Sequence, residues 1–84
     1  MSNVRLSELS PGANAIVAHV EATNPSDPIA RRLSDLGFVA GEPVKLVASG
    51  PIGADPLLVQ IGFTRFALRR SEAARVHVDV SEAC

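Results

Sequence analysis

Tyrosine and tryptophan are absent from this chain of 84 residues, and Phe38, Phe63 and Phe66 supply all of its aromatic rings. The stacking platform used to bind single-stranded nucleic acid is correspondingly thin. Eight basic residues stand against nine acidic ones, a formal net charge of −1, so no global field draws the chain to a polyanion or to anionic lipid. The only lysine, Lys45, falls inside a predicted strand, and no Gly-rich loop ending in Lys-Ser or Lys-Thr accompanies it. Nucleotide hydrolysis by a phosphate loop is thereby excluded. The only cysteine, Cys84, cannot form an internal disulfide, which suits a reducing compartment. No apolar run approaches the ~20 residues of a membrane helix. Met1 to Leu9, interrupted by Arg5 and Glu8, does not read as a secretory signal. A cytoplasmic location without direct membrane insertion is expected.

What is present is most legible between Asp27 and Val44. Asp27 can cap a helix by accepting from unpaired backbone N–H groups, and Pro28 suits the first helical position, where its missing donor costs nothing. Ile29, Leu33 and Leu36 recur at helical spacing and predict a buried stripe, with Arg31, Arg32, Ser34 and Asp35 elsewhere. Gly37 stands where a helix end needs a positive φ, and Phe38 and Val39 can fold back as an apolar latch. Around this helix the chain reads as strands at 15–21, 43–48, 57–61, 63–68 and 75–80, with Val76, Val78 and Val80 sharing one face. Leu6 and Leu9 before Ser10-Pro11-Gly12 predict one helical or 3₁₀ turn, residues 70–74 another of the 3₁₀ kind, and SGPIGAD at 49–55 a wide exposed loop. Five short strands joined by turns favour a small barrel over an open sheet. Residues 1–80 are expected to form a single domain, with 81–84 a frayed tail.

No catalytic constellation emerges. The serines lie outside any nucleophile-elbow sequence, and only His19 or His77 is available as a base. Glu8, Asp55 and Glu72 are scattered among turns, where carboxylates serve as caps. Arg31 lies four residues from both Asp27 and Asp35, at spacings that allow local ion pairs, so Arg31 and Arg32 read as helix-supporting residues before they read as an arginine finger.

RLSELSPG at the start, Arg32-Leu33, Leu36-Gly37 and Gly41 in the middle, Asp55-Pro56 before a strand, and Ala67-Leu68-Arg69 followed by Glu72-Ala73 form an ordered set that closely resembles the ferrous-iron transport protein A (FeoA) family. The resemblance runs nearly end to end. It implies a mainly β fold, a small five-stranded SH3-like barrel with one inserted α-helix at about 27–36 and short 3₁₀ turns. It also implies a non-enzymatic accessory or regulatory protein of bacterial ferrous-iron uptake that binds the cytoplasmic side of a membrane transporter carrying a GTPase domain. The alternative is a stand-alone metal-responsive domain related to the C-terminal part of iron-dependent repressors, although no helix-turn-helix pattern is present. The helix and the SGPIGAD loop are what an ordinary SH3-like barrel lacks or keeps shorter, so the expected partner surface comprises Arg31, Arg32, Phe38, Val39, Val47, Pro51 and Ile52. In such a barrel the strands carrying His19 with Glu21 and His77 with Asp79 lie side by side, and these four residues are candidates for weak surface binding of zinc or ferrous ion. No closed metal site is indicated, because the close pairs of structural zinc sites are missing, and no cofactor is required for folding. A weak homodimer is a candidate self-association.

Overall fold

The computed structural model describes residues 2–52 and 55–80, with the side chains of residues 2, 51 and 52 outside that description. The expected tail at 81–84, Cys84 included, lies outside the described residues. Strand β1 (Ser2–Arg5) runs into a 3₁₀ turn (Leu6–Glu8), followed by β2 (Asn14–Val20), helix α1 (Pro28–Leu36), β3 (Pro43–Ile52), β4 (Asp55–Ile61), β5 (Thr64–Leu68), the single helical turn α2 (Arg70–Ala73) and β6 (Val76–Val80). All strand pairs are antiparallel, in the order β1-β6-β2-β3-β4-β5. The fold is the mainly β barrel with one inserted helix that the sequence implies, built from six strands.

The sixth strand is β1, which pairs Ser2–Arg5 with Val80–His77. Three of its four residues are polar, so no alternation announces it. Residues 70–73 form an α-helical turn in place of the expected 3₁₀ turn.

The wide loop expected at 49–55 is also corrected, because β3 continues to Ile52 and β4 already begins at Asp55, with Ile52 opposite Asp55. Glycine and proline suggest a loop by composition, but here the ladder is irregular after Leu46 and again after Ser49, and irregular pairing tolerates both residue types. Gly50 has a specific reason: a Cβ there would collide with the backbone of Asp55 and Pro56. Residues 53 and 54, which join the strands, lie outside the described residues.

The core follows from strand alternation. Val17, Val44, Leu46, Leu57, Val59, Leu68, Val76 and Val78 point inward and are joined by Leu6, Leu33 and Phe38. Val80 packs against this cluster only in part, and so does Leu36. Beyond the irregularity after Leu46, Ala48 is only partly buried.

Candidate functional surfaces

Helix α1 is positioned by its first residue before the helix. The Asp27 carboxylate accepts from the N–H groups of Ile29 (3.0 Å) and Ala30 (3.4 Å), and its other oxygen accepts from the Thr23 N–H and hydroxyl, both at 2.9 Å. Arg75, just before β6, donates to that same oxygen. Asp27 is only 5% exposed, yet every lone-pair direction is used. The Thr23 N–H foremost, with the Thr23 hydroxyl and the Arg75 guanidinium, holds its carboxyl far below the usual carboxylate range against the opposing effect of burial. Asp27 is thus committed inward, and the pairing with Arg31 allowed by spacing is not made.

At the other end Gly37 takes φ +116°, and the Phe38 N–H reaches back to the Leu33 carbonyl at 3.1 Å. This closure turns Phe38 into the core beside Phe66, with ring centroids 6.1 Å apart. Phe38 is 1% exposed and leaves the expected partner surface. Val39 stays on it at 48% exposure. The buried stripe is also rotated from the expected one, because Ala30 and Leu33 are buried while Ile29 is 37% exposed. The outer side of α1 therefore carries Ile29, Arg31 and Arg32, with Val39 just beyond.

Arg32 donates to Glu72 on α2 at 2.9 Å, and the Arg70 N–H of α2 donates at 3.0 Å to Asp55, the first residue of β4 after the β3–β4 connection. Turn α2 thereby bridges α1 and β4. Glu72 also accepts from the Arg69 N–H (2.9 Å), and Glu8 accepts from the Arg5 N–H (2.8 Å). Glu8 and Glu72 thus cap the turns they sit in, as expected, whereas Asp55 is a strand residue that accepts from the first N–H of α2. Val47 is half-buried at the first β3 irregularity, and the side chains of Pro51 and Ile52 lie outside the described residues.

The second candidate surface lies on the β2–β6 ladder, inside the sheet. His19 and His77 are directly opposite across the two strands, and their rings stack with centroids 4.3 Å apart and planes 9° from parallel. His77 Nε2 lies 3.0 Å from Glu21 Oε1, which is also 3.4 Å from Arg5 Nη1. The same guanidinium donates to the Ala74 carbonyl at 2.5 Å. The His77 hydrogen bond, then the Arg5 charge, lower the Glu21 carboxyl from its ordinary value. Asp79 is not drawn in. It lies opposite Ile16 and accepts from the Asn3 side chain at 3.3 Å. Three of the four metal candidates thus gather at one place, but among the described residues no three histidine, cysteine or carboxylate side chains converge in an arrangement able to hold a metal ion. Arg5 is the participant that the sequence did not reveal, because it enters through the unannounced β1.

The FeoA domain profile matches residues 4–80. Among solved structures, FeoA of Stenotrophomonas maltophilia complexed with zinc, a procaryotic SH3 domain protein and candidate ferrous-iron-transport activating factor, is 59% identical over 90% of this chain and 89% of that one, with a TM-score of 0.82. FeoA of Chlorobium tepidum is 38% identical over 92% of this chain and 70% of that one, with a TM-score of 0.77. IdeR of T. acidophilum, 20% identical over 96% of this chain and 35% of that one at a TM-score of 0.76, shares the fold alone. No curated protein sequence matches the chain.

Proposed function

The chain belongs to the FeoA family, which is involved in ferrous-iron transport, and from that premise we propose that it is a non-enzymatic accessory module that binds the cytoplasmic part of a ferrous-iron transporter carrying a GTPase domain. The observation that carries this reading is the outer side of α1. Ile29 is exposed there with Arg31 and Arg32, Val39 is exposed just past the helix's C-terminal stop, and α2 joins Arg32 to the first residue of β4. Arginine is enriched at protein interfaces, whose buried centre is apolar. No helix of the described residues is long and apolar enough to cross a membrane, so contact with a membrane transporter runs through that protein.

The test is functional complementation. Cells lacking the parent protein are given the wild type or Val39→Asp, and ferrous-iron uptake is measured alongside GTP hydrolysis by the purified chain. The reading requires no hydrolysis by the chain alone and reduced uptake with Val39→Asp at normal protein level. GTP hydrolysis by the isolated chain, or full uptake with Val39→Asp, contradicts it.

A second activity, weak zinc or ferrous-ion binding, is favoured by the opposed His19 and His77 with Glu21 adjacent, and by a zinc complex of the S. maltophilia relative. His19 and His77 supply the nitrogen donors in this reading, and a ligand from a second molecule completes the shell. The circular dichroism spectrum should survive chelator, and calorimetric zinc titration should lose its heat in His19→Ala. Unfolding by chelator contradicts the reading, since a structural metal supplies folding energy.

A further inference from the structure

Glu21 stands beside the stacked histidines of the β2–β6 ladder without completing a metal-holding group with them, although a carboxylate next to two imidazoles is a donor set that zinc uses. The hydrogen bonds account for the shortfall. Glu21 is ionised at neutral pH, its carboxyl lying below the ordinary value, and an ionised carboxylate accepts hydrogen bonds but donates none. The proton in its 3.0 Å contact with His77 therefore sits on Nε2. A neutral imidazole carries one N–H, so the lone pair of His77 is on Nδ1.

That nitrogen is open. Among the described residues it has no hydrogen-bond partner, and no buried side-chain nitrogen or oxygen lacks one, so Nδ1 reaches the surface. The His19 ring covers a face of His77, whereas a metal ion meets an imidazole at its edge, in the ring plane, so the stack does not obstruct Nδ1. The two nitrogens of one ring point away from each other. An ion on Nδ1 lies on the side of the ring turned from Glu21, and one ion cannot hold both residues while their hydrogen bond stands. Glu21 is itself held in place, because its Oε1 lies 3.4 Å from Arg5 Nη1 and that guanidinium is tethered to the Ala74 carbonyl.

Resting on the zinc reading above, we infer that Glu21 is a positioning residue and not a ligand: it keeps the proton of His77 on Nε2, Arg5 keeps Glu21 in place, and zinc is taken at His77 Nδ1. A carboxylate behind a ligating imidazole fixes the tautomer and the ring orientation and makes the free nitrogen a better donor. Three parts of the sheet supply the chain of contacts, Arg5 from β1, Glu21 from just past β2 and His77 from β6.

The test is long-range proton–nitrogen correlation spectroscopy of the nitrogen-labelled full chain at about pH 7.5, where free imidazole is neutral, before and after addition of zinc. Metal-free His77 should carry its proton on Nε2. Zinc should shift the Nδ1 signal and leave the Nε2–H in place. Glu21→Ala, first shown to melt as a folded domain, should bind zinc about tenfold more weakly by calorimetry, the lower end for loss of such a partner, and its metal-free His77 should show the Nδ1–H form. A parent His77 protonated on Nδ1, or a zinc-induced shift at Nε2, overturns the assignment and leaves the zinc reading standing. Undiminished zinc affinity of Glu21→Ala overturns it as well. Zinc that moves no imidazole nitrogen of the parent overturns the zinc reading and this assignment together.

Discussion

The two sides of α1 differ more than any two elements of this protein. On the inner side Asp27 has its oxygens fully engaged, Ala30 and Leu33 are buried, and Phe38 is drawn into the core by the closure at Gly37. On the outer side Ile29 and Val39 face water, and Arg32 makes a single exposed ion pair to Glu72. Nine helical residues thus serve two ends. The inner side fixes where the helix sits, and the outer side is committed internally only through that one exposed ion pair, which leaves most of it open to a partner.

Substitutions on the two sides should separate these roles, and the largest effect belongs to Leu33. Truncating a fully buried leucine leaves a cavity as well as losing transfer energy, so Leu33→Ala should cost ~2–5 kcal/mol in denaturant melts. That is a large part of the margin of so small a domain. A loss below about 0.5 kcal/mol, the range of surface substitutions, would show that α1 is not anchored there.

Asp27→Asn should rank second. Asparagine preserves the cap but not the charge facing Arg75, which then lacks its partner. The effect carries a pH signature. Because the folded carboxyl is depressed, its contribution is complete above the unfolded aspartate value of about 3.9 and is lost as pH falls from there toward the lower folded value. The gap in melting temperature between parent and Asp27→Asn should therefore be widest near neutrality and narrow below about pH 4. A gap independent of pH would assign the effect to something other than ionisation.

How much of this was legible beforehand depends on whether the signal is local. The helix, its Asp27 cap and its Gly37 stop could be read directly, because each is enforced by residues within a turn of it. The side occupied by Ile29 could not, since periodicity marks an apolar face only to within one residue's rotation and the neighbouring sheet chose Ala30 instead. Phe38 was recognisable as a latch, but its depth depends on the space beside Phe66 on a distant strand. Strand β1 carries no alternation of its own and exists because β6 offers it an edge, so Arg5 and its contact with Glu21 were invisible. The opposition of His19 and His77 could be inferred once the barrel was assumed, whereas Asp79 lies beyond the irregularity in the β2–β6 ladder. The extension of β3 through Gly50 and Pro51 was hidden because composition registers turn formers but not irregular pairing that accommodates them.

Smaller effects test the outer side. Ile29→Ser and Arg31→Glu should each change stability by less than about 0.5 kcal/mol, as surface substitutions do. Arg32→Ala should cost no more than about 1 kcal/mol, the range of an exposed ion pair. Thermal melts of the three proteins provide the check. A large loss in any of them would mean that the outer side has a structural duty and that the contrast between the two sides is false.

The central claim is that this outer side is what the transporter recognises. The direct measurement is a calorimetric titration of the transporter's cytoplasmic region with the parent chain and with the Arg31→Glu, Arg32→Glu double variant, each first shown to melt as a folded domain. The account predicts at least about tenfold weaker binding by the variant, equivalent to ~1.4 kcal/mol of lost interaction. Equal affinity of the two proteins for that region would contradict it.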